Sequence, residues 1–297
     1  MSGAKLVPPE EPLAESAPLA RRLAPTLCRK DPATAESCAW YHGFWQYARL
    51  MGLGTSADLH ADFFYEAFAA IPAISLEPRI LIAGAADYSM LAVVLAACRV
   101  AGVRADITVV DRCETPLMLN RWYAERASQT IETICADLTA HTEERRYDLL
   151  CTHALLGHLN PARRRDLLAR WRDLLRPGGL AITVNRLRPG AGGELAAFGP
   201  EQVNAYREAV RRRARSLPNA LAADPDELAR DAERYAQRQV MWPLRSLQEI
   251  RDVFESSGFS LDHLSCAPLS ARAEHTGLSV PTVPGGAEYA RIIARRV

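Results

Sequence analysis

The sequence predicts an α/β fold: a mostly parallel seven-stranded sheet with helices on both faces, preceded by a helical segment and carrying a helical insertion. Three observations predict it. Between residues 79 and 185, short apolar runs alternate with stretches of helix length. The helices between them close on turn residues such as Gly102, as crossovers between parallel strands do. The chain has 297 residues, 48% of them hydrophobic, enough for one large core with a cap.

The elements follow in order. Residues 1–31 are rich in Pro and Ala with little periodicity, and read as a flexible N-terminal arm. Residues 32–76 read as a helical, aromatic lid: CAWYHGFWQYARLMGLG and DLHADFFYEAFAAI are both helix-like, and Glu77-Pro78 ends the segment. Residues 77–297 form the main domain. Its first unit is the strand RILIAG, the helix MLAVVLAACRVAG and the strand DITVVD. TPLMLNRWYAERA (helix), ETICADL and YDLLCTHAL (strands) and PARRRDLLARWRDLL (helix) come next, then the turn RPGG and the strand LAITVNR. Residues 194–242 are an arginine-rich helical insertion, SLQEIRDVFESSGF is an amphipathic helix ending at Gly258, and SLDHLS and AEYARIIARR supply the last two strands.

Charge and cysteine usage narrow the function. The 36 basic and 35 acidic residues leave a formal net charge of +1, which argues against an extended nucleic-acid surface. No apolar run approaches the roughly 18–20 residues of a membrane span, and the first thirty residues lack a signal peptide's hydrophobic stretch. The seven cysteines contain no CxxC pair and are odd in number, so the expectation is free, mostly buried thiols in a reducing cytoplasm, with no metal site and no disulfide frame. The expected partner is a small molecule, neither nucleic acid nor membrane, bound by a cytoplasmic protein that can pair as a homodimer.

In an open α/β sheet the ligand lies beyond the C-terminal ends of the strands. That places it against Gly84-Ala85-Ala86-Asp87 and Asp111. Gly84 suits a tight turn close to a ligand. Asp111 ends the second strand, where its carboxylate can accept from ribose hydroxyls; Asp137 can accept from an adenine amino group, with the Leu138 amide donating to a ring nitrogen.

The five segments RILIAGAADYS, ITVVDR, ICADL, YDLLCTHALLGHL and LLRPGGLAITV, in that order, resemble the class I S-adenosylmethionine (SAM)-dependent methyltransferases, a Rossmann-like family. The resemblance spans about residues 79–185, with the closing helix and strand pair consistent with it. It implies S-adenosyl-L-methionine as cofactor or substrate, and cofactor contacts from Gly84, Ala85, Ala86, Asp87, Asp111, Arg112, Asp137, Leu138, Thr152 and Trp45. The first loop departs from the family's acid-x-Gly-x-Gly-x-Gly. Ile82 stands where the acid would hold the SAM ammonium, with Asp87 as the expected substitute, and Ala86 and Tyr88 replace the second and third glycines.

Candidate catalytic residues are His153 after the fourth strand, and Tyr41 and His42 in the aromatic segment. Trp40, Tyr41, Phe44, Trp45 and Tyr47 suit a lid over the sulfonium, although their i, i+4 spacing also describes one buried helix face. Because SAM is already activated, methyl transfer needs mostly positioning and a dry pocket. The expected activity is methyl transfer to a small molecule of specialised, natural-product metabolism. An alternative resembles the azetidine-2-carboxylate synthases, in which the SAM amine attacks its own γ-carbon and releases methylthioadenosine. A third reading is a non-catalytic SAM-binding protein.

Overall fold

Alternation along the central strands sorts the core into two layers. In the computed structural model, which describes residues 9–30, 36–71, 75–143, 146–217, 221–268 and 288–297, seven strands form one sheet. They are β1 (Arg79–Ala83), β2 (Asp106–Asp111), β3 (Glu132–Cys135), β4 (Tyr147–His153), β5 (Leu175–Leu187), β6 (Phe259–Pro268) and β7 (Glu288–Arg296), in the order β3-β2-β1-β4-β5-β7-β6. The first five pair in parallel, and β7 runs antiparallel to β5 and β6. Strand order reverses between β1 and β4, which opens a crevice at their C-terminal ends.

Helices α1 (Leu13–Leu27), α2 (Ala39–Leu50) and α3 (Ala61–Phe68) precede the sheet; α4 (Ser89–Ala101), α5 (Glu114–Arg126) and α6 (Pro161–Leu174) lie between its strands. Ile80 and Ile82 of β1 bury on the face covered by α3, α4 and α5, while Leu81 and Ala83 bury on the opposite face. That opposite face is covered by α6 and α9 (Leu247–Glu255). Each fully buried Leu or Ile there contributes about 1.5–3 kcal/mol relative to exposure. Every strand expected from the sequence is present. RPGG, expected as a turn, lies inside the bounds of β5 as an irregularity: Tyr147 pairs with Leu175 and Leu149 with Leu180, with Gly178 at φ +75° between.

Residues 13–27 correct the expectation of a flexible arm over 1–31. They form a helix whose buried face is made of Ala17, Ala20 and Ala24. Small side chains let it approach α2 closely: a Cβ on Gly43 would lie 3.6 Å from that of Ala24. Polar ties fix it further, with the Ser16 hydroxyl 2.9 Å from the Tyr88 hydroxyl and Arg21 paired with Glu227 and Asp231. Residues 1–8 and 31 of the expected arm lie outside the described residues.

The insertion contributes α7 (Pro200–Arg215) and α8 (Pro225–Arg238), which share a third cluster with α2. Phe44 meets Tyr206 and Tyr235 at ring-centroid distances of 6.2 and 5.6 Å. Residues 196–197 and 240–241 pair antiparallel at the foot of this cap. Helix α2 and the insertion therefore form one helical layer, whereas α3, expected as part of the lid over 32–76, packs on a face of the sheet against α4.

Candidate active site

A cavity of about 530 Å³ lies between the strand ends and the helical cap. Gly84 turns the chain at the end of β1 with φ +69°, a conformation that favours glycine, and a Cβ there would stand 3.0 Å from Leu155 Cδ2, which would have to give way. Its amide donates to the Val110 carbonyl at 2.9 Å, which ties the loop to β2. The next amide, of Ala85, donates to Asp111 Oδ2 at 2.9 Å, and the Cys113 amide donates to Asp111 Oδ1 at 2.7 Å. Burial raises the Asp111 carboxyl above its ordinary value against the pull of His42 and these amides. Each carboxylate oxygen keeps a second lone pair, so acceptor capacity remains at the cavity wall.

Gly84, Ala85, Ala86, Asp111, Arg112, Asp137, Leu138, Trp45, Tyr41, His42 and His153 all line this cavity. Two expected cofactor residues do not. The Asp87 carboxylate is buried and engaged elsewhere: Oδ2 accepts from Arg49 at 2.7 Å and Oδ1 from the Ser89 amide at 2.8 Å. Its carboxylate therefore does not stand in for the acid absent at Ile82. Thr152 is fully buried, because alternation along β4 that sends His153 to the cavity sends its neighbour to the other face. Tyr88, in place of the third glycine, stacks on Tyr123 at 4.6 Å and leaves the loop uncrowded.

Asp137 is exposed at the far end of the cavity. Oδ1 accepts from the Thr139 amide and hydroxyl, and Oδ2 from Arg163 at 2.8 Å. Burial would raise its carboxyl, but these donors outweigh it and the net shift is downward.

The roof is aromatic. Tyr41 stacks on Trp45 and on Tyr235, each at 5.7 Å, and meets Trp40 edge-on at 5.9 Å. Burial raises the Tyr41 and Tyr235 phenols, so both stay protonated and offer faces and donors rather than a base. Desolvation pushes His153 down to about 3, with His60, 5.5 Å away, adding to it. Its imidazole is thus neutral, and Nε2 is buried with no hydrogen-bond partner among the described residues. His42 points Nδ1 at the Ala86 carbonyl, 3.4 Å away.

Sequence reasoning missed the cationic wall. Arg186 and Arg188, on and just beyond β5, are buried and line the cavity beside Tyr289. Burial lowers both, Arg188 to about 10, and both remain charged at neutral pH. Arg186 Nε and Nη1 find no hydrogen-bond partner among the described residues. The only signal in the sequence was two arginines at a strand end. The cysteines are free and mostly buried, as expected, with Cys135 and Cys266 exposed; what the sequence did not signal is that Cys28, Cys38 and Cys113 converge with His42.

Comparison with known proteins fits this geometry. Residues 91–179 match the family model described as a methyltransferase domain. That stretch, under a third of the chain, is similar to a methyltransferase domain. The match runs from α4, behind the first loop, to the RPGG segment of β5. Among solved structures, an S-adenosylmethionine-dependent methyltransferase from Clostridium acetobutylicum ATCC 824 is 9% identical, with a TM-score of 0.52, covering 84% of this chain and 96% of its own. The [4+2]-cyclase SpnF is 12% identical, with a TM-score of 0.52 and coverage of 82% and 83%. At such identities these likenesses show the fold alone. No match to the sequence is found among curated proteins.

Proposed function

We propose that the protein binds S-adenosylmethionine and transfers its methyl group to a small molecule of specialised metabolism. One observation carries this reading: the first-loop glycine, the Asp111 carboxylate and the stacked Tyr41 face all open onto one cavity at the sheet's switch point. The residues present fit the group. Asp111 would take the ribose hydroxyls, and Leu138 and Asp137 the adenine. The stacked Tyr41 and Trp45 rings would roof the sulfonium and keep water from it. SAM supplies an electrophilic methyl carbon; the chain's own residues align the acceptor and exclude water. Neutral His153, with an unpartnered Nε2, would accept a hydrogen bond from the acceptor's nucleophilic group and orient it. Arg186 supports an acceptor that carries an anionic group.

A second reading draws on a specific observation. Asp87 is held by Arg49, and Glu114 is paired with Arg121, so neither carboxylate replaces the acid lost at Ile82. An amine without a carboxylate partner deprotonates more readily. Its lone pair could then attack the γ-carbon of the same molecule, breaking the carbon–sulfur bond and releasing methylthioadenosine with the bonding electron pair. Product analysis separates the two. Incubation with SAM alone should leave it intact, and small acidic acceptors should yield S-adenosylhomocysteine. Methylthioadenosine from SAM alone would replace the first reading with the second.

A further inference from the structure

We infer that Cys28, Cys38, His42 and Cys113 form a zinc site that fastens the first two helices to the cofactor loops. Four donor atoms, three from residues 28–42 and one from Cys113 about seventy residues later, lie within 4.8 Å of one another. Cys28 caps α1, Cys38 precedes α2, His42 is on α2, and Cys113 precedes α5. An isolated antiparallel bridge between Lys30 and Ser37 closes the chain between the first two, holding both thiols at the stem of one loop.

The spacing matches a metal site better than a disulfide. Cys113 Sγ lies 3.5 Å from Cys28 Sγ and 3.6 Å from Cys38 Sγ. A disulfide needs about 2.05 Å and joins only two sulfurs. Tetrahedral zinc with bonds of about 2.3 Å sets its sulfurs roughly 3.7 Å apart, close to both separations. Three thiolates and one imidazole are also a donor set of closed structural zinc sites.

The surroundings have what such a site needs around its ligands. His42 Nδ1 faces the Ala86 carbonyl; a proton there leaves Nε2 for the metal and fixes the ring. The Thr115 hydroxyl lies 3.0 Å from Cys28 Sγ and can donate to it. The Cys113 amide donates to Asp111, so this ligand adjoins the proposed ribose acceptor. A zinc ion here would hold α2, and with it Tyr41 and Trp45, in place over Ala86 and Asp111. All four positions would be filled by protein, so the ion is structural and His42 is a ligand rather than a base. The inference stands independently of which reaction the cavity performs.

The test is metal analysis of the untagged full-length chain, produced with zinc in the medium. The expected result is one zinc per chain by elemental mass spectrometry, with occupancy falling at least about tenfold in Cys28→Ser and Cys38→Ser. Cys98→Ser, a buried thiol outside the cluster, and Cys135→Ser should keep it. Cobalt exchanged into the wild-type chain reads the ligand set without any substitution: thiolate-to-cobalt charge transfer and intense tetrahedral d–d bands are expected. A zinc-free protein, a Cys28–Cys113 disulfide in the fresh preparation, six-coordinate cobalt bands, or full occupancy in Cys38→Ser would each overturn the site.

Discussion

Tyr41 and Trp45 face the same cavity but sit differently, and this separates their effects. Trp45 is 7% exposed and belongs to the cluster under the cap, whereas Tyr41 is half-buried between Trp45 and Tyr235. Trp45→Ala should therefore lower stability by about 3–5 kcal/mol, measured by chemical denaturation without ligand. Tyr41→Ala should leave most of that stability and lose most turnover, while Tyr41→Phe, which keeps the ring, should stay near wild type in both. A large loss of turnover in Tyr41→Phe with intact SAM affinity would assign the hydroxyl, not the ring, to the reaction. Gly84→Ala should impair both folding and SAM binding, since it combines a φ of +69° with a methyl 3.0 Å from Leu155; a melting temperature unchanged from wild type would contradict this. What the sequence hid at this scale is partnership. Asp87 looked free to meet a ligand because Arg49, which holds it, lies 38 residues earlier on another helix.

At the level of elements, β1, β2 and β4 were legible because each is a short apolar run ended by Gly84, Asp111 or His153, and the helices between them carry apolar faces of ordinary size. Helix α1 was not, because its buried face is alanine and it contains Pro18 and Pro25. The four-residue cluster was hidden for another reason: its ligands come from three separate elements without a CxxC spacing. Burial between elements also sets a pH dependence. Desolvation lowers buried His60 and half-buried His153 to about 3, below their usual 6.5. Stability from keeping them neutral is complete above pH 6.5 and is lost as pH falls toward 3, by up to about 1.4 kcal/mol per unit per histidine. Glu11, raised to about 7 by burial, acts in the opposite sense: its contribution is complete below about pH 4.5 and fades as pH rises through 7. Asp111 and His42, also raised, act with Glu11, but the two histidines carry the larger shifts and should dominate. Melting temperature should fall from pH 7 to pH 5, and His60→Gln should flatten the slope; a rise on acidification would show that Glu11 governs.

For the molecule as a whole, the sheet places a loop and a carboxylate at its switch point, and α2 and the insertion close over them as one layer, while α3 stays on a face of the sheet. The seven strands of the sheet and the positions of Gly84 and Asp111 were readable from the sequence. The cationic wall was not, since Arg186 lies in a strand whose run otherwise reads as core. The central claim is that the cavity under the aromatic roof is where SAM binds, with Asp111 on its ribose. Titration calorimetry of SAM into the wild-type chain and into Asp111→Ala tests it most directly. One site per chain is expected, weakened by about 1.5–3 kcal/mol in the variant, the loss of hydrogen bonds to a charged acceptor. Equal SAM affinity in a folded Asp111→Ala chain, or no binding to the wild type, would contradict it.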